Sequence, residues 1–213
     1  MKRFIIVIIF LVLMSLYACQ PSELFTFTTP QPLGLGNLNN FPKRILGNYY
    51  SLSDKSFLNI SDKSIIRLND FEVKFHPNEL DSTEFISGDT LIEKISHEKV
   101  PLKKDGDSLI YHIRKTDTLF QINENHILRK FKGFYFINTK CDTLGWVVKK
   151  LALSKGHLTI SSITRKEDFE RLKAMTENPK DTIPPYKIKV THRQFRKFIL
   201  NNWFSEDEIF VRQ

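Results

Sequence analysis

Leu109-Ile110-Tyr111-His112-Ile113 is the stretch that decides the fold. In an extended chain Leu109, Tyr111 and Ile113 share one side, and Ile110 and His112 the other, because successive strand side chains point to opposite faces. The same period of two governs Val147, Lys149, Leu151 and Leu153, which alternate with Trp146, Val148 and Lys150. Outward from these, short apolar or alternating runs occupy 45–52, 64–68, 71–75, 90–95, 119–122, 127–131, 134–137 and 158–163, separated by turn residues. Many short strands at near-regular spacing predict an antiparallel barrel or sandwich over 44–163.

The pattern changes after Thr164. Thr164-Arg165-Lys166-Glu167 reads as a capping box, followed by Phe169, Leu172 and Met175 at helical spacing. This predicts a helix over 165–176, ended by Asn178-Pro179. A short strand is expected at 186–190. Thr191-His192-Arg193-Gln194 is a second capping box, opening a helix to about 201 with Phe195, Phe198 and Ile199 on one face. A last strand is expected at 208–212. The fold class is therefore mainly β (α+β), with two C-terminal helices packed on the β domain over 164–213.

At the other end, Lys2 and Arg3 precede an apolar run from Phe4 to Met14. That is the length of a signal-peptide core, and short of the roughly 20 residues a spanning helix needs. Leu16-Tyr17-Ala18-Cys19 follows directly and resembles the lipobox of bacterial lipoproteins, with Tyr17 where a small residue is usual. The resemblance implies a signal peptide over 1–18 and lipidation of Cys19 by a diacylglyceryl thioether with an added N-acyl (palmitate-like) chain. It also implies a place in the cell envelope, anchored to the outer membrane, with the domain periplasmic or surface-exposed. Two or more acyl chains give stable anchoring where one does not. Pro21, Pro30, Pro32, Gly34, Gly36 and Pro42 make 19–43 a flexible tether on this reading.

The net charge of +8 is scattered, with doublets at Lys103-Lys104 and Lys149-Lys150. No zinc finger, RNA-binding aromatic motif or dense arginine patch accompanies it, so nucleic acid is not the expected partner. The chain has two cysteines. If Cys19 is lipidated, Cys141 has no intramolecular partner, and stability must come from the core. None of the six histidines falls at a metal-ligand spacing, and no Gly-x-Ser-x-Gly, phosphate-binding or dinucleotide motif occurs. No metal, cofactor or catalytic residue is expected. A hydrolase built in space from carboxylates such as Glu93, Glu98, Asp105 and Asp107 ranks third among the readings.

An Asp followed by Ser or Thr and then, in most copies, an apolar residue recurs along the chain. Asp favours the turn and Thr the start of the next strand. The motif also resembles the O-glycosylation sequon of Bacteroidota envelope proteins, which implies modification at Ser82, Thr90, Ser108, Thr118, Thr143 and Thr182. Gly47-Asn48-Tyr49-Tyr50, opening the β region, resembles the Gly-x-Trp opening of lipocalins. That resemblance implies a barrel whose floor Tyr49 plugs, with Tyr49 and Tyr50 at a cavity for a small apolar ligand. The leading expectation is a membrane-anchored envelope lipoprotein with a binding or structural role, its partner an envelope protein. The second is a lipocalin-like carrier.

Overall fold

The computed structural model describes residues 25–176 and 186–213. The expected signal peptide, Cys19 and Thr182 lie outside them. Chain order begins with β1 (Phe25–Phe27), a 3-10 turn at Lys43–Ile45, β2 (Gly47–Tyr50), β3 (Phe57–Ile60) and the long β4 (Ser64–Phe75). β5 (Glu84–Ser87), β6 (Thr90–Glu93) and β7 (Lys99–Pro101) form a separate antiparallel sheet. β8 (Lys103–Asp105) and β9 (Ser108–Gln121) return to the main sheet, and β10 (His126–Phe131), β11 (Phe134–Cys141), β12 (Gly145–Ser154) and β13 (His157–Ser162) extend it. α1 (Lys166–Met175), β14 (Tyr186–Ile188), α2 (His192–Leu200) and β15 (Glu206–Arg212) complete the chain.

The main sheet runs β10-β11-β12-β13-β15-β2-β3-β4-β9-β8, with antiparallel neighbours throughout. The fold is thus mainly β with two C-terminal helices, as the alternation and capping signals predict. Closure into a barrel is not found: among the described residues no ladder joins β10 to β8 or β9. The edges instead carry β8, with three residues, and β10, which continues directly from β9 through a turn at Asn123 and His126.

Alternation along β11 and β12 sends side chains into two cores. Tyr135, Ile137 and Leu151 point into the hollow of the curled sheet, where Tyr49, Leu58, Ile65, Phe120, Leu158, Ile160 and Phe210 meet them. Phe136 and Val148 point the other way, onto Phe27, Phe169, Leu172, Phe195, Phe198 and Phe204. The helices cover this outer face because each has one apolar stripe, and burying it removes that stripe from water. Lys150 lies in the same outer layer, 6% exposed. Its Nζ donates to Asn202 Oδ1 at 3.0 Å and lies over the rings of Phe134 and Phe204. Burial lowers its pKa from the ordinary ammonium value, and Asp207 partly opposes this.

Three expectations change. Residues 25–43 do not behave as a flexible tether. β1 pairs with β12 and in parallel with β14, Leu38 bridges to Leu128, and Phe27, Gln31 and Phe41 are buried. The turn-forming residues there shape an ordered strap whose partners are distant in sequence. At its crossing with β12, Gly145 has φ +116°, and a Cβ would sit 2.6 Å from Phe27 O, so only glycine fits. Second, Thr164 does not cap α1. Its hydroxyl donates to Glu206 Oε2 at 2.8 Å, and Arg165 occupies the cap position without a side-chain bond. Third, the runs at 64–68 and 71–75 are one strand, β4, and those at 109–113 and 119–122 are one strand, β9. The charged residues between them, Asp70 and Arg114, pair across the ladder at 3.2 Å.

Candidate functional site

The sheet curls far enough to bring β4 and β9 opposite β11, β12, β13 and β15. Between them lies a cavity of about 110 Å³. Ile65, Leu119, Ile137, Val147 and Ile160 give it apolar walls, and Arg67, Thr139, Lys149 and Glu208 give it polar ones. The polar groups are there because strands alternate: Arg67 follows Ile65 on the inner face of β4, and Lys149 follows Val147 on β12.

Arg67 is held from several sides. Its Nη2 donates to Glu208 Oε2, its Nη1 lies 4.0 Å from Asp54 Oδ2, and its guanidinium stacks over Phe210 at 5.5 Å. Its Nε is buried without a hydrogen-bond partner. Lys149 makes no side-chain hydrogen bond or ion pair among the described residues. Asp54 itself accepts from Ser56 N–H and Oγ–H at 3.1 and 2.7 Å. Burial raises its pKa, but these bonds and Arg67 outweigh that, so the net shift is downward.

The two tyrosines expected at a ligand cavity do not line it. Tyr49 is fully buried, and its hydroxyl donates to Ile45 O at 2.9 Å. Arg212 of β15 lies over the Tyr49 ring at 5.4 Å and donates to Arg44 O and Leu46 O. Burial raises the Tyr49 pKa while Arg212 opposes the rise. This cluster ties the last strand to the 3-10 turn before β2, so Tyr49 acts as core. Tyr50 faces the other way and packs on Phe57 at 4.9 Å. The sequence carried no signal for Arg67 or Lys149 as cavity residues, since their shared surroundings come from strands far apart in the chain.

Ser82 is exposed in a turn, while Thr90 and Ser108 open β6 and β9. Thr118 is exposed within β9, and Thr143 belongs to the 3-10 turn Asp142–Leu144. The Asp-Ser/Thr pattern therefore mostly marks strand entrances. Of the carboxylates considered for hydrolysis, Glu93 accepts from the backbone of Ile95, and Asp105 bonds Lys74 at 2.5 Å. Both have structural partners. Among the described residues no group of His, Cys, Asp and Glu is placed to hold a metal ion. Cys141, at the end of β11, is buried.

A second polar surface lies on the helical layer. The outward face of α2 carries Arg193, Arg196, Lys197 and Leu200, all exposed. Compared with known proteins, the chain matches no family model, no curated protein and no solved structure.

Proposed function

We propose that the chain is a membrane-anchored lipoprotein of the bacterial cell envelope whose β body has a binding or structural role. Leu16-Tyr17-Ala18-Cys19 after a short apolar run supports the anchor. The observation that carries the reading is the place of the first described strand. β1 starts at Phe25, six residues after Cys19, and is fixed to the domain by β12 and β14. Six residues reach at most about 20 Å, so a lipid on Cys19 holds the body against the membrane surface. We read the body as sandwich-like, with the curl setting β4 and β9 across from β11 to β13. Ser82, Thr90, Ser108, Thr118, Thr143 and Thr182 remain the sites proposed for O-linked glycans.

The curl of the sheet also favours a second reading, a carrier of a small apolar ligand. A cavity of about 110 Å³ is well under the 300–1,000 Å³ of ordinary ligand pockets, so such a ligand would be only a few atoms long.

The anchor has a direct test. Growth with a labelled fatty acid should tag the protein and leave Cys19→Ser untagged. Peptide mapping of the native protein under non-reducing conditions gives an independent answer. A thioether at Cys19 leaves Cys141 open to alkylation, whereas a Cys19–Cys141 disulfide would overturn the lipoprotein reading.

A further inference from the structure

We propose that the outward stripe of α2 is the surface on which the domain lies against an anionic lipid bilayer. Arg193, Arg196, Lys197 and Leu200 follow the i, i+3, i+4, i+7 spacing that places side chains on one helix face. The opposite face is spent on the core through Phe195, Phe198 and Ile199. A merely solvated stripe usually mixes both charge signs, but α2 contains no acidic residue. None of its three exposed cations has a side-chain hydrogen bond or ion pair among the described residues. Leu200, 64% exposed, is set among them. Cations around an outward apolar side chain suit a surface of phosphate head groups over hydrocarbon.

The route of the chain gives the same answer. β1 runs in parallel beside β14, which leads through three residues into α2, and the Phe27 and Phe195 rings meet at 5.9 Å. Residues 1–24 therefore join the body in the layer to which α2 belongs. The orientation, though not the lipid affinity, rests on the membrane anchoring proposed above. Trp203, just beyond α2 and edge-to-face with Phe198, is a reporter for the contact.

Every described element lies within 25–213, so the test uses a chain of residues 20–213, which has neither Cys19 nor the leader. Failure of the lipid anchor then cannot affect the result. The probe is vesicles of phosphatidylglycerol and phosphatidylethanolamine, compared with vesicles of phosphatidylcholine alone, and binding is read by co-sedimentation and Trp fluorescence. Expected are binding to the anionic vesicles only and its loss on raising salt. The triple variant Arg193→Gln, Arg196→Gln, Lys197→Gln should weaken binding roughly a hundredfold, at about fivefold per cation near a charged surface. Leu200→Glu, a single exposed change, should also weaken it. Absence of wild-type binding, equal binding to neutral vesicles, or undiminished binding by folded variants of both kinds would each overturn the proposal.

Discussion

Asn138 shows how much one side chain can hold. Fully buried on the outer face of β11, its amide accepts from Gln31 N–H at 2.6 Å and donates to Gln31 O at 2.9 Å, with further carbonyls of Ile127 and Phe136 in reach. It is the latch of the strap over 25–43. Asn138→Leu strands a buried N–H and C=O, so stability should fall by about 2–3 kcal/mol. The urea midpoint measures this, and amide exchange should speed up around Gln31. An unchanged midpoint would show that the strap is held elsewhere. The strand pattern in the sequence stops at Ile137, since Asn138-Thr139-Lys140 is polar, and a partner 107 residues away leaves no local pattern. His126 makes a different prediction. Burial against Phe120 lowers its pKa below the usual imidazole value, so the folded state favours the neutral ring. The unfolded chain then binds the extra proton as pH falls below about 6.5. Stability should decline from there down to the depressed pKa and be unaffected by this group below it. His126→Gln should flatten that part of a stability-against-pH curve, whereas an identical slope would remove His126 as its cause.

Among the elements, α2 was the most legible. Thr191 Oγ accepts from Gln194 N–H, and Gln194 Oε1 accepts from Thr191 N–H at 2.8 Å, the reciprocal pair that the spacing predicts. Thr191→Ala should cost about 1 kcal/mol and Thr191→Ser almost nothing, compared by thermal melting. Equal losses for both would point to the methyl group and away from the cap. Thr164 has the same local signature, yet bonds Glu206 of β15 instead, because a hydroxyl at a helix start can serve a neighbouring strand equally well. β4 and β9 are the opposite case. Asp70, Glu72, His112 and Arg114 interrupt both runs with charge, and in the structure they pair with one another across the ladder, with His112 Nδ1 3.1 Å from Asp70 Oδ1. His112 and Arg114 hold the Asp70 carboxyl below its usual pKa. Charge within a strand is tolerated where that face of a two-stranded ribbon meets water, and a one-dimensional pattern cannot say which face that is.

In the whole molecule, β15 joins what the chain order keeps apart. It lies between β13 and β2, Phe210 is fully buried, and Arg212 closes over Tyr49. Deleting 206–213 would divide the main sheet into two parts with no ladder between them among the described residues. Such a chain should show no cooperative thermal transition by circular dichroism, and a sharp transition near the wild-type temperature would refute the joining role. The cavity residues Arg67 and Lys149 escaped the sequence for the same reason: their proximity depends on that closure. Timing follows from it as well. A chain still leaving the ribosome lacks the strand that unites its two halves until β15 has been made. Hairpins such as β10–β11 and β12–β13 can pair locally before that, but the united sheet waits for β15.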